Sequence, residues 1–219
     1  MKACRNGYLA AALLMSASVA TAQSGDTSDT GDTGYHHHEV LQATGVPGDS
    51  LYQLELPIET AAGVTVPLSS LRGRPLLVTM FYSHCTSVCP LLTAELQQIE
   101  RGLAPAARSR VRVLMVTFDA VHDTPRVLKS FAQLHHIDDP RWIMARAAPS
   151  DVRMLAAALG IPYRELPDHS FNHSAVISLA DQEGVVRARA VGLRAVDAQF
   201  LDALRSIATT GAASRPGGE

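Results

Sequence analysis

The sequence predicts an α/β domain in which a central mixed sheet is flanked by helices. One observation is the apolar, β-branched run from Leu76 to Phe81, which is typical of a buried strand. Four apolar residues then recur at helical spacing, namely Leu91, Leu92, Leu96 and Ile99. A second buried strand is predicted over 111–118, and a helix follows it. Strands that alternate with helices in this way indicate the α/β class.

The elements before the central strand are short. Leu51 to Leu56 and Val64 to Val66 are predicted strands around a turn at Ala62-Gly63. They predict an N-terminal β-hairpin extension of the sheet.

The elements after the first helix, which runs to about Arg101, complete the sheet. Thr124 is the predicted N-cap and Pro125 the first residue of a helix through about Leu134. A short strand over 142–145 and a helix over 150–159, closed by Gly160, come next. A hairpin over 175–179 and 185–189 and a helix over 197–207 end the series. This order is that of a thioredoxin-like domain, whose first βα turn carries the chemistry.

Composition indicates one ordinary globular domain. The chain has 219 residues, 47% of them hydrophobic, and a formal net charge of −2. This charge balance gives no indication of nucleic-acid binding, and nothing in the sequence demands more than a monomer. We predict a signal peptide over 1–22, a flexible leader over 23–50, the folded domain over 51–209 and a loose tail over 210–219.

The first 22 residues have the pattern of a secretory signal peptide. Lys2 and Arg5 precede an apolar stretch, and Ala20-Thr21-Ala22 provides a small-residue cleavage site. The expected location is therefore the periplasm or another exported compartment, with an uncleaved membrane anchor as the alternative. Cleavage would remove Lys2, Arg5 and Cys4, leaving 17 basic and 21 acidic residues, a net charge of −4, and two cysteines.

A histidine tract lies within the predicted leader. Tyr35 is followed by His36, His37 and His38 among Ser, Gly, Thr and Asp residues. A solvated polar patch is the favoured interpretation, and a metal-collecting tract is the alternative.

Cys85 and Cys89 lie where the central strand turns into the first helix. Free backbone N–H groups and the positive helix end favour thiolates there. Residues four apart on a helix share a face, with Cα atoms about 6 Å apart, near the upper limit for a disulfide. The pair is therefore either a redox couple or a chelate for a soft ion such as Cu(I). A plain stabilising disulfide closes a very small loop and is the weaker alternative.

The stretch from Phe81 to Pro90, FYSHCTSVCP, resembles the metal-binding turn of the Sco/SenC copper-chaperone family. The segment 116–119 followed by Asp123-Thr124-Pro125 resembles that family's strand-Asp and Asp-Thr-Pro element. The segment 173–181, HSAVISLAD, resembles its His-Ser-x-x-x-aromatic-Leu-x-Asp stretch. The three motifs occur in the family's order across about 51–207.

The resemblance implies a copper site formed by Cys85, Cys89 and His173. Two thiolates suit Cu(I), and an added imidazole lets the same site hold Cu(II). The implied function is an exported metallochaperone that delivers copper to the dinuclear centre of cytochrome c oxidase by ligand exchange. The implied partners are the copper-accepting subunit of that oxidase and, as a further candidate, another periplasmic copper donor.

The sequence departs from the family pattern near the histidine. Asn172 stands where the family usually has Asp, and Ser178 takes the aromatic place. His169 follows an acidic residue, Asp168, but lacks the strand pattern behind it, so His173 is preferred as the ligand.

Three further residues near the motifs are predicted to orient the ligands or the partner rather than to bind copper. They are His84, Asp119 and Asp123. His122, His135 and His136 receive no role.

Two alternative functions remain open. In a thiol-disulfide oxidoreductase acting on the copper-accepting partner, Cys85 would attack and Cys89 resolve, so both would be catalytic. A peroxiredoxin-like peroxidase shares the fold but fits this cysteine spacing poorly. A metallochaperone would not be an enzyme.

Overall fold

A seven-stranded mixed sheet forms the centre of the structure, a computed structural model that describes residues 48–210. The predicted signal peptide, the histidine tract and most of the predicted leader and tail lie outside the described residues. The strands are β1 Pro57–Thr60, β2 Thr65–Pro67, β3 Leu76–Phe81, β4 Arg112–Thr117, β5 Trp142–Arg146, β6 Tyr163–Glu165, β7 Phe171–His173, β8 Val176–Ala180 and β9 Val186–Val191. The helices are α1 Val88–Arg101, α2 Pro105–Arg108, α3 Pro125–Leu134, α4 Pro149–Leu159 and α5 Ala198–Thr210, with 3₁₀ turns at Leu51–Leu54 and Leu68–Leu71.

The strand order is β2-β1-β5-β4-β3-β8-β9. Strand β3 pairs in parallel with β4, and β4 in parallel with β5, whereas β8, β9, β1 and β2 join antiparallel to their neighbours. The central strand β3 is buried along its whole length. This arrangement confirms the predicted thioredoxin-like class with a central mixed sheet flanked by helices.

The two faces of the sheet bury separate cores because side chains alternate along each strand. Leu77 and Phe81 of β3 face the core formed with α1, α3 and α5. Leu76, Val78 and Met80 face the opposite core, formed with α4 and the first 3₁₀ turn. The carboxyl end of β3 therefore emerges between two packed layers, which hold the following turn in place.

The N-terminal elements differ from the prediction. The predicted strand over 51–56 is wrong: Ser50 caps a 3₁₀ turn at Leu51–Leu54, and its side chain accepts a hydrogen bond from the Tyr52 N–H. The predicted N-terminal β-hairpin extension is present over β1 and β2, because β1 pairs antiparallel with β5 and so adds the hairpin to the edge of the sheet.

Most later elements agree with the sequence. Thr124 caps α3 and accepts a hydrogen bond from the Val127 N–H, and Gly160 ends α4 with a φ of 69°. Helix α2 and the two-stranded ribbon of β6 and β7 were not predicted. Within residues 48–210, no helix combines the length and apolar character needed to span a membrane.

Candidate metal centre

The turn after β3 carries the first cysteine. The Cys85 N–H donates to the Tyr82 carbonyl at 3.2 Å, and α1 begins only at Val88. Cys85 therefore precedes the helix, whereas Cys89 is its second residue. This corrects the expectation that both thiols share one face of a helix.

The two cysteines nevertheless meet. The Cys89 backbone N–H donates to the Cys85 sulfur at 3.2 Å, so the Cys85 side chain occupies the amino end of α1. Both thiols are free and buried, with Cys85 6% and Cys89 0% exposed. The stabilising disulfide considered from the sequence is not formed in this structure.

The surroundings make the two thiols unequal. Burial alone would raise the pKa of Cys85, but hydrogen bonds from Cys89 and from the N–H groups of Ser87 and Val88 outweigh it and lower that pKa. Burial raises the pKa of the Cys89 thiol far above its ordinary value, and its hydrogen bond with Cys85 raises it further. The thiolate predicted at the helix start is thus favoured at Cys85 and disfavoured at Cys89.

His173 reaches the thiols from the unpredicted ribbon. It is the last residue of β7 and pairs with Tyr163 of β6. Its Nε2 lies 3.8 Å from the Cys89 sulfur. The two sulfurs and an imidazole nitrogen all lie within 4.8 Å of one another. The structure thus brings together the three side chains that the resemblance implied, and their role as ligands stays a prediction.

A backbone contact orients the His173 ring. Nδ1 lies 3.1 Å from the Ser174 carbonyl oxygen, an acceptor, so Nδ1 carries the proton and donates it. The lone pair of the neutral ring is then on Nε2, which faces the sulfurs. Burial lowers the pKa of His173, with the Ser174 hydrogen bond opposing it, which favours the neutral, metal-binding form.

Aromatic side chains surround the imidazole. The Phe118 ring centroid lies 4.9 Å from that of His173, and Tyr82 meets it edge-on at 6.0 Å. Phe171 packs against both aromatic rings, at 6.0 Å from Phe118 and 5.3 Å from Tyr82. These contacts restrict the ring and shield the site from water. The sequence analysis gave Phe118 and Phe171 no role. The period-two spacing of Phe171 and His173 was a signal that the two side chains lie on the same face of a strand.

The predicted supporting residues form a second group beside the first. Donor atoms of His84, Asp119 and Asp123 lie within 4.8 Å of one another. Asp123 accepts hydrogen bonds from the Ser83 N–H at 3.0 Å and from the hydroxyls of Ser83 and Thr117. Asp123 therefore connects the cysteine turn to the end of β4.

The remaining histidines of residues 48–210 do not join the thiol group. His169 is exposed, and its Nδ1 lies 2.8 Å from a carboxylate oxygen of Glu165. His122, given no role from the sequence, pairs with Asp119 at 2.8 Å. His135 packs on Phe131 at 4.3 Å, and His136 is exposed.

Fold and site together define a thioredoxin-like protein with a Cys-Cys-His group at the carboxyl end of its central strand. The family model for SCO1/SenC matches residues 56–208. The chain therefore belongs to the SCO1/SenC family.

Known proteins of this family resemble the chain over most or part of its length. The SCO1 protein homolog of Bacillus subtilis (strain 168) is 28% identical over 92 residues, 42% of this chain and 47% of that protein. A structure of Bradyrhizobium japonicum ScoI with copper bound is 22% identical and covers 69% of this chain and 96% of that one, with a TM-score of 0.58.

A third comparison is with BsSco, a member of the Sco family of cytochrome c oxidase assembly proteins in which a disulfide switch is described. It is 21% identical, covers 70% of this chain and 91% of that one, and has a TM-score of 0.60. At these identities the two structural likenesses show a shared fold.

Proposed function

We propose that the protein is a copper-binding metallochaperone whose site is formed by Cys85, Cys89 and His173. The observation that supports this most directly is the convergence of two sulfurs and one imidazole nitrogen within 4.8 Å. Copper-bound structures of relatives from Bradyrhizobium japonicum and yeast support the same metal.

The donor set suits copper in both oxidation states. Thiolates are soft ligands that favour Cu(I), and imidazole is a good ligand for Cu(II). The Nδ1–H donated to Ser174 leaves Nε2 available for the ion. Cys89 must lose its proton when the ion binds, so loading releases a proton and depends on pH.

The site also suits transfer. Three protein ligands leave the ion open to attack by a recipient, whose own ligands, beginning with a thiolate, can replace the three donors one after another. Cys85 retains 6% exposure while Cys89 has none. We therefore infer that, of the two thiolates, Cys85 is exchanged before Cys89.

The recipient in this proposal is the copper-accepting subunit of cytochrome c oxidase, with another periplasmic donor as a possible source of the copper. The description of BsSco as belonging to a family of oxidase assembly proteins supports this recipient. An exported, periplasmic location follows from the predicted signal peptide at 1–22, with an uncleaved anchor as the alternative.

A copper titration with thiol counting tests the proposal. After removal of residues 1–22, which include Cys4, the chain with Cys85 and Cys89 reduced should bind one Cu(I), and the number of titratable thiols should fall from two to none. The Cys85→Ser and Cys89→Ser variants should each lose tight binding, whereas His136→Ala, a change on an exposed histidine, should bind as the unchanged protein does. Failure of the reduced chain to bind copper would contradict the proposal.

The unequal thiols favour thiol-disulfide oxidoreduction as a second candidate function. The lowered pKa of Cys85 suits an attacking thiolate, and the raised pKa of Cys89 suits a resolving thiol. The Cys85 thiolate would attack one sulfur of a partner disulfide and release the other as a thiol. Cys89 would then attack Cys85, so that the partner ends with two thiols and this protein with one disulfide.

His173→Ala separates the two functions. A reductase needs no imidazole at this position, so its rate of partner reduction should survive the change. A copper site that holds Cu(II) should not survive it. A variant that reduces the partner at the original rate, together with an unchanged protein that binds no copper, would establish the second function.

A further inference from the structure

We propose that His84, Asp119 and Asp123 form a second metal site, distinct from the thiol site, that takes a divalent ion such as Zn(II). The donor atoms are one imidazole nitrogen and two carboxylate oxygens, all within 4.8 Å of one another. The site lies at the carboxyl ends of β3 and β4, on the segments that follow each strand.

The loop after β4 fixes both carboxylates. The Asp123 N–H donates to the Asp119 carbonyl at 2.9 Å, and the Asp119 N–H donates to the Thr117 hydroxyl at 3.0 Å. Both aspartates are buried, at 8% exposure for Asp119 and 0% for Asp123. Two carboxylates are therefore held side by side out of solvent.

The buried side chain of Asp123 is held by uncharged hydrogen-bond donors. Its hydrogen bonds come from the Ser83 N–H and from the Ser83 and Thr117 hydroxyls, which are all neutral donors. Among the described side chains, no arginine, lysine or histidine forms a salt bridge with it. Buried carboxylates are normally paired with a positive charge or coordinate a metal. A cation bound beside Asp119 and His84 would supply the Asp123 carboxylate with the positive charge that no described side chain provides.

Asp119 is oriented by a neighbouring imidazole. His122 Nδ1 lies 2.8 Å from one carboxylate oxygen and 3.0 Å from the other, and the His122 N–H also donates to the group at 3.1 Å. A hydrogen-bonding partner of this kind fixes a metal-binding carboxylate in its orientation. The carboxylate keeps lone pairs free for an ion.

The exposed His84 completes the group. Its Nδ1 lies 3.2 Å from the Ser83 hydroxyl. Ligands of a tetrahedral zinc ion at bond lengths of about 2.1 Å lie about 3.5 Å apart, so closure needs a shift of about 1 Å. The exposed His84 side chain can supply that shift by rotation.

The donor set of this second site favours a divalent ion over Cu(I). Nitrogen and carboxylate oxygen suit divalent ions such as Zn(II), whereas Cu(I) favours soft sulfur ligands. The chain would therefore hold two chemically different sites side by side. This proposal does not depend on copper transfer at the thiol site.

The experiment removes the competing donors first. The background chain carries Cys85→Ser and Cys89→Ser, and His36, His37 and His38 are changed to alanine. Isothermal titration with Zn(II) should show one ion bound per chain. Adding His84→Ala, or separately Asp119→Asn, should weaken the affinity at least tenfold, and adding His136→Ala should not change it.

A folding control and an independent signal keep the test decisive. His84 is exposed, so thermal melting of the His84→Ala chain should match that of the background. In NMR spectra of the background chain, Zn(II) should shift the imidazole resonances of His84 and leave those of His136 in place. The proposal is overturned if the background chain binds no zinc, or if His84→Ala leaves the affinity unchanged.

Discussion

Replacing His173 with alanine tests the assignment of the third copper ligand. In the structure Nε2 lies 3.8 Å from the Cys89 sulfur, and no other imidazole of the described residues joins the two thiols. The variant retains two thiolates, which suffice for Cu(I), but has no nitrogen donor for Cu(II). We therefore expect a selective loss of Cu(II).

The magnitude follows from known effects on metal sites. Residues that only orient a ligand change metal affinity by about 10–100-fold, so loss of the ligand itself should cost at least about 100-fold. A 100-fold loss corresponds to about 2.8 kcal/mol of binding free energy. The ring also packs on Phe118 and Tyr82, and each aromatic contact contributes about 0.5–1.5 kcal/mol. The free energy of unfolding should therefore fall by about 1–3 kcal/mol, and Tm should fall by about 2–12 °C.

The assay is a Cu(II) titration followed by the sulfur-to-copper charge-transfer absorption, with Tm measured on the same samples. His169→Ala is the matched control, since that exposed ring pairs with Glu165 and should leave both quantities unchanged. If His169→Ala abolishes the absorption while His173→Ala preserves it, the choice of ligand is wrong.

Three further predictions concern the thiols and the frame of the domain. Cu(I) affinity should fall about tenfold when the pH is lowered from 8 to 7, because the raised pKa of Cys89 keeps that thiol protonated until the ion displaces its proton. A pH-independent affinity in competition titrations would contradict this. Iodoacetamide should modify Cys85 before Cys89, because Cys85 has the lower pKa and the greater exposure. Peptide mass spectrometry measures both modification rates, and equal rates would contradict the difference between the thiols. Gly184→Ala should lower Tm, because Gly184 has a φ of 82° and the added Cβ would lie 2.7 Å from the Tyr52 ring and from the Ser50 hydroxyl. Gly48→Ala should leave Tm unchanged, because nothing lies within 4 Å of a Cβ added there.

Much of the frame could be predicted because local patterns decide it. The largely apolar β3, the Thr124 cap of α3 and the Gly160 end of α4 each depend on residues within or next to the element. The prediction of a strand over 51–56 was wrong because its first apolar residues are buried as a capped 3₁₀ turn. Alternation alone does not distinguish that turn from a strand.

Local patterns were enough to predict the thiol pair, its place after the central strand and the three motifs that resemble Sco/SenC. The approach of the third side chain depends on the folded chain, since His173 is 84 residues beyond Cys89 and is held by the β6–β7 ribbon. The folded chain also places Cys85 before the helix and makes the two thiols differ in pKa. The physical reason is that burial and hydrogen bonding depend on groups distant in sequence, whereas strand and helix patterns depend on neighbours.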